Sequence, residues 1–315
     1  MSNSQSYVDY VFNNDTFSVA VFGSAAAFEN PAAAALLPNV VPADELQRGT
    51  ALSTAAFQLA NISGPAIGGL AYAVAPGMPY ALMAGSWLGG ALLTWGIRLV
   101  MPDSSKTAQE EPPTLSSLFA GVGFVRRNPA ILGTISLDLF AVLLGGATAL
   151  LPIYARDILH TGPWGLGVLR STPAVGALLM TAVLARCSIR TRVGMRMFTA
   201  VIVFGCATVI FALSHSLWLS ILALAIMGAA DMVSMVIRLS LVQLATPDEM
   251  RGRVGAVNFL FVHASGQLGE FESGLTAALF GAVPAAVLGG VGTVAVALLW
   301  MKLFPTLRAV ESLEP

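Results

Sequence analysis

Charge is the scarcest commodity in this chain. Only 10% of its 315 residues are Asp, Glu, Lys or Arg, and the formal net charge is -1. No basic surface therefore proposes nucleic acid, and no acidic tail proposes a cationic partner. Cysteine is nearly absent. Cys187 and Cys206 stand in or beside apolar runs, with no CxxC spacing and no flanking histidine, which argues against a disulfide framework and a metal site. The histidines are His160, His215 and His263, and no cluster with carboxylates or thiols has metal-ligand spacing. A GxxxxGK[ST] phosphate loop is missing, which argues against ATP hydrolysis, and neither a GxSxG elbow nor a nucleophile with its base is visible. An enzyme reading has nothing to stand on, and no cofactor or metal is implied. The first 16 residues are polar, contain Asp9 and Asp15 and lack Lys and Arg, so no signal-peptide pattern opens the chain.

What is abundant is apolar length. Hydrophobic residues make up 56% of the chain and the mean hydropathy is +0.77, a combination that a water-soluble domain of this size rarely shows. A hydrocarbon core of about 30 Å demands about 20 apolar residues of a helix. Such stretches recur over residues 17–40, 50–74, 79–101, 130–153, 164–187, 194–213, 217–243, 254–280 and 283–304, predicting an all-α membrane protein with about nine transmembrane helices. Most connections are short. The exception is 102–129, "PDSSKTAQEEPPTLSSLFAGVGFVRRNP", a polar, Pro-rich linker that ends in an amphipathic helix from Leu115 to Arg127. The expected organisation is a polar lead (1–16), a first bundle (17–101), this linker (102–129), a second, six-helix bundle (130–304) and a tail (305–315).

Orientation follows from the cations. With the spans taken in order, Arg48, Arg98, Lys106, Arg126, Arg127, Arg186, Arg190, Arg192, Arg196, Arg251, Arg253, Lys302 and Arg308 fall on one side, and Arg156 falls on the other. This is the positive-inside pattern, and it places the linker and the C-terminus in the cytoplasm and the amino terminus outside.

One phrase occurs twice. "VPADELQRGTALSTAAFQ" at 41–58 returns as "TPDEMRGRVGAVNFLF" at 246–261, each joining the end of one helix to the start of the next on the cytoplasmic side. Asp44 aligns with Asp248 and Glu45 with Glu249, while Arg48, Arg251 and Arg253 follow the acids in the two copies. Acids at the start of the turn and arginines beyond it suit a latch against neighbouring helix ends, and ordinary capping and topology would also account for them. The spacing is that of six helices with their loops, as in two parallel six-helix repeats. By that count the first copy should follow a fourth helix, whereas one span precedes it.

At these residues the chain resembles the major facilitator superfamily, and within it the enterobactin-exporter-like branch of bacterial efflux carriers. The resemblance rests on "FENPAAAALLPNVVPADELQRGTALSTAAFQLANISGPAIGGL" and "LATPDEMRGRVGAVNFLFVHASGQLGEFESGLTAALFGAVPA" and covers roughly residues 22–304. It implies a partial major facilitator fold in which the nine spans stand for the fourth through twelfth helices of a twelve-helix carrier. The stretch "NISGPAIGGL" at 61–70 is similar to the GPxxGG antiporter signature of exporters in this superfamily, with Gly64, Pro65, Gly68 and Gly69 in its positions. Small residues for close helix packing are the plainer explanation of the same glycines.

Charged residues inside the spans complete the candidate set. Each costs about 2.5–3.5 kcal/mol at a bilayer centre on insertion scales, so each is expected to face protein or water and to have a partner. Glu29, Asp138, Arg170, Asp231, Arg238, Glu270 and Glu272 qualify. They act either in proton uptake and release or as buried ion pairs that fix helix register. His263, Gln267 and Glu270, at i, i+4 and i+7, form one polar helix face, and Glu272 points away from it as a structural partner. Asp231 and Arg238 share a face seven residues apart. Asp138 has no local cation, and Arg170 in the next span is its simplest partner.

The expected function is a proton-coupled exporter of a small amphiphilic molecule, a siderophore-like metabolite or a drug, working in the bacterial cell membrane. Asp138, Asp231 and Glu270 are its expected acids and Arg170 their counter-ion. No obligate protein partner is evident; lipid, protons and a small-molecule substrate are the partners. The rival expectation is a truncated carrier that inserts in the membrane without transporting, because alternating access needs two complete bundles.

Overall fold

The computed structural model describes residues 41, 56, 60, 63–64, 67–72, 74–75, 77–96, 115–186 and 191–311. Among these the secondary structure is helical, with no strand. Contacts divide the chain into two compact units, residues 58–82 with 111–315 and residues 1–57 with 83–110. The buried apolar clusters lie in the first.

The elements are α1 (Met78–Trp95), α2 (Leu115–Arg127), α3 (Pro129–Leu144), a 3₁₀ turn (Gly146–Leu150), the short α4 (Leu151–Ile153), a π-turn (Tyr154–Ile158), α5 (Gly162–Arg186), α6 (Val193–Ala212), α7 (Leu217–Leu244), α8 (Asp248–Phe280), α9 (Ala282–Leu303) and the short α10 (Pro305–Arg308). Described residues between Ala56 and Val74 are helical too. The amphipathic helix expected at the end of the linker is α2, and the two Arg residues in its last turn suit the negative end of the helix dipole.

Five described helices are long and apolar enough to cross a membrane: Pro129–Ile158, Gly162–Arg186, Val193–Ala212, Leu217–Leu244 and Ala282–Leu303. Each coincides with an expected span. α8 covers the expected span 254–280 but carries too much polarity to meet the same measure. α1 covers most of 79–101, and the span 17–40 lies outside the described residues.

Local chemistry sets the element ends. Asn128 caps α3, its Oδ1 accepting from Ala130 N at 3.2 Å and Ile131 N at 3.4 Å, with Pro129 in the first turn where a missing N–H costs nothing. α8 and α9 meet at a single residue, Gly281, whose φ of 93° is open to glycine and strained for other residues. The span that begins with α3 was expected to be one continuous helix. It is broken at Gly145, continues as a 3₁₀ turn and ends in a π-turn. The break sits at a close approach: a Cβ on Gly146 would meet Ser273 Oγ at 2.6 Å, and one on Gly269 would meet Val142 O at 2.7 Å. The ordinary α-helical ladder gives way where the two backbones touch.

Small residues also govern the other crossings. Gly176 of α5 lies against Ala225 of α7, and Gly228 of α7 lies against Pro173 of α5. Gly205 of α6 and Gly290 of α9 face each other, each leaving 2.8 Å between an added Cβ and the other's carbonyl oxygen. Apolar lipid offers no hydrophobic drive for helix association, so such backbone proximity, with its dispersion contacts, supplies the packing energy.

Close contacts gather one set of helix ends. Gly121 of α2 packs on Arg253 O of α8, Gly133 of α3 on the Phe304 ring, and Gly194 of α6 on Leu307 O. Arg126, Arg127, Arg192, Arg196, Arg253, Lys302 and Arg308 therefore share one end of the bundle. Arg156 lies at the other, in the π-turn whose Tyr154 hydroxyl donates to Ala212 O at 2.9 Å. Both groups fall where the cation parity of the sequence sorts them. The tail closes the first end: Gly194 N donates to Val310 O at 3.0 Å and Val193 N to Glu311 O at 3.4 Å. These carbonyls cap α6, whose N-cap residue Arg192 makes no side-chain cap.

Candidate functional site

Within the apolar bundle one polar cluster stands out. Asp138 of α3 and Arg238 of α7 form an ion pair, their side chains only 6% and 12% exposed. About one and two turns from Arg238 toward the α7 N-terminus, Ser234 and then Asp231 complete a row at i, i+3 and i+7, which puts them on one helix face. Asp138, Asp231, Ser234 and Arg238 line a common cavity with Ala141 and Val142 of α3 and Val201 and Phe204 of α6. Its volume is about 20 Å³, enough for roughly one water molecule and far below the several hundred Å³ of a drug-sized site. Asp231 is exposed and has no ion-pair partner among the described residues.

The charge arithmetic of the cluster is simple. With both acids ionised, two negative charges face one positive charge, leaving one net negative charge in an apolar frame. Protonating one carboxyl makes the cluster neutral. Burial of an uncompensated charge is expensive, so the protonation state sets how readily this region is sealed from water.

The pairing corrects one expectation. Asp138 was expected to pair with Arg170; it pairs with Arg238. Arg170 is exposed on α5 and makes no ion pair with a described residue. The reason is packing: α7 presents Arg238 to the α3 face that carries Asp138, across the cluster of Leu137, Val201 and Ile237. Ser234 was not foreseen. Its signal was present in the same i, i+3, i+7 row as Asp231 and Arg238.

The other candidates fall elsewhere. On α8, Gln267 and Glu270 are exposed and line neither described cavity, while the side chain of His263 lies outside the described residues. Glu272 accepts a hydrogen bond from Thr276 Oγ1 at 2.7 Å, one turn along its own helix, in keeping with a structural role. Asp248, Glu249, Arg251 and Arg253 all stand in the first turns of α8; of their side chains only that of Arg253 is described, and it is exposed. Glu29, Asp44, Glu45, Arg48 and Pro65 lie outside the described residues. Gly64 and Gly68 face open space, whereas a Cβ on Gly69 would come within 2.8 Å of both Gly167 Cα and Pro163 O at the start of α5. Gly69 thus lets two backbones touch, which is the packing explanation of the motif at that position.

A second cavity, of about 700 Å³, opens between the end of α7 and the start of α8. No group of three or more His, Cys, Asp or Glu side chains suited to a metal ion occurs among the described residues.

Residues 16–270 match the model of the Major Facilitator Superfamily. The enterobactin exporter EntS of Citrobacter koseri is 24% identical over 282 residues, which cover 89% of this chain and 67% of that protein. The multidrug efflux pump Tap of Mycobacterium bovis is 28% identical over 266 residues, 81% of this chain and 63% of the pump. The uncharacterized MFS-type transporter YvqJ of Bacillus subtilis is 24% identical over 279 residues, 86% of this chain and 65% of that protein. The chain spans about two thirds of the length of these relatives. The family match covers most of the sequence, and the structure beneath it is a bundle of apolar helices with a buried Asp138–Arg238 ion pair. The chain belongs to the major facilitator superfamily of membrane transporters.

Proposed function

We propose that the protein is a proton-coupled exporter of small amphiphilic molecules in the cell membrane, with the arginine-rich end of the bundle and the C-terminus in the cytoplasm. The observation that carries this reading is the Asp138–Arg238–Asp231 cluster around a cavity with room for about one water molecule. Asp231 is the proton carrier. It faces Asp138 from α3 and Arg238 from its own helix, while α6 contributes only Val201 and Phe204. Asp138 is the fixed counter-ion of Arg238. With Asp231 protonated the cluster is neutral and the bundle closes over it; with Asp231 ionised the net charge favours the conformation that admits water. A proton gradient then biases the two conformations, and substrate moves the other way.

Export rather than uptake is supported by two of the relatives, an enterobactin exporter and a multidrug efflux pump. The antiporter-like glycines Gly64, Gly68 and Gly69, with Pro65, support the same direction. The test is retention of the neutral dye Nile red by cells that express the full chain, with and without a protonophore. Lower retention that the protonophore abolishes is expected, and Asp231→Asn should abolish it too. Equal retention with and without the protein would count against export.

A further inference from the structure

The polar cluster has room for water and none for an amphiphile, so on the export reading the molecule must be received elsewhere. The cavity of about 700 Å³ between α7 and α8 has the size of a small-molecule site. It exists because the two helices diverge from a tight connection. Thr246 Oγ1 donates to Val242 O at 2.6 Å, and Met250 N donates to Pro247 O at 2.9 Å, so α7 ends and α8 begins within three residues. From that corner the walls open. Leu239, Ser240, Val242, Gln243, Leu244 and Thr246 come from the α7 side, and Val254, Gly255 and Asn258 come from α8.

The lining has a definite chemical character. Val242 and Val254 are buried in a cluster with Val125, Ile131, Ile135 and Val257, which makes the floor firm and apolar. Above it stand two side-chain amides, Gln243 and Asn258. Neither has a hydrogen-bond partner among the described residues, so both retain donors and an acceptor for a ligand. Among the described residues no charged side chain lines the cleft. Against this lining an ionic ligand would lose water without gaining a counter-ion, whereas an uncharged one with amide or hydroxyl groups would exchange hydrogen bonds with water for equivalent ones. Gly255 keeps the mouth open: it is exposed, and a Cβ there meets nothing within 4 Å.

We infer that this cleft is a reception site for uncharged amphiphiles bearing amide or hydroxyl groups, oriented by Gln243 and Asn258 on the valine floor. The assignment names the substrate class of the proposed exporter and rests on that reading for its physiological purpose, while binding itself does not require transport.

The probe is chloramphenicol, a neutral amide with two hydroxyls, binding at equilibrium to the purified full chain in detergent. Saturable binding is expected. Gly255→Trp, which places an indole in open space, should weaken it at least tenfold, and Gln243→Ala with Asn258→Ala should weaken it several-fold. Gly266→Ala, on α8 but outside the cleft lining, should bind as the parent does. As a readout that does not depend on those variants folding, Asn258→Cys in a background with Cys187→Ser and Cys206→Ser should react with a maleimide, and chloramphenicol should slow that reaction. Unchanged affinity in the folded cleft variants, absence of saturable binding by the parent, or labelling that chloramphenicol leaves unaltered would overturn the inference. Normal binding without any dye export would instead sink the export reading and leave the reception site standing.

Discussion

Arg238 on α7 closes onto Asp138 on α3, and this ion pair ties two membrane helices together in the most buried charged contact described. Removing one partner strands the other. Asp138→Asn is expected to destabilise the protein by about 3–5 kcal/mol, since Arg238 loses the carboxylate it contacts, and Asp231, which shares the cavity, makes no ion pair with it. The double variant Asp138→Asn, Arg238→Gln should recover most of that loss. Thermal unfolding of the four proteins in one detergent closes the cycle, and additive losses would mean that the two groups are not coupled.

Arg170 supplies the contrast. It is exposed on α5 and makes no ion pair with a described residue. Arg170→Ala should change stability by no more than about 0.5 kcal/mol, the ordinary range for a surface site. A loss comparable to that of Asp138→Asn would show that Arg170 carries part of the cluster.

The α5–α7 crossing depends on having no side chain at its tightest point. A Cβ on Gly228 would lie 2.7 Å from Pro173 Cα, an encounter between backbones that no rotamer relieves. Gly228→Val is expected to cost at least the 1–3 kcal/mol or so typical of overpacking. Gly266→Ala, where a Cβ meets nothing within 4 Å, is the matched control and should be close to neutral. Midpoints of thermal unfolding distinguish the two sites.

At the arginine-rich end, the tail acts as a cap for α6. Leu307 is fully buried, and the carbonyls of Val310 and Glu311 receive the first N–H groups of the helix. Deleting residues 305–315 exposes those donors and opens the cluster of Val193, Met197 and Phe198. Hydrogen exchange over residues 193–198 should accelerate markedly while exchange in α9 up to Trp300 changes little. Unchanged protection at 193–195 would show that the tail does not cap the helix.

Much of this fold was legible because the membrane simplifies the code. A continuous apolar run of the right length has little choice but to be a helix, and the spans that became α5, α6, α7 and α9 fall within a few residues of their expected limits. The break after α3 was harder. Gly145, Gly146 and Pro152 were visible, but the contact of Gly146 with Gly269 at the break is tertiary. The polar cluster was legible by halves. Helical spacing alone puts Asp231 and Arg238 on one face, yet periodicity within one helix says nothing about which acid on another helix Arg238 meets. Proximity in sequence favoured Arg170 for Asp138, and helix packing chose Arg238. The α7–α8 cleft left no trace in the sequence, because two apolar helices that diverge read the same as two that stay together.

The central claim is that proton movement and substrate movement are coupled through Asp231. It is tested most directly in liposomes that contain the purified full chain, loaded with chloramphenicol and a pH-sensitive dye and clamped electrically with valinomycin and potassium. On dilution into drug-free buffer, the outward drug gradient should acidify the lumen in vesicles with the parent protein. Vesicles with Asp231→Asn, and protein-free vesicles, should show no such acidification. Equal acidification with the parent and with Asp231→Asn would contradict the account.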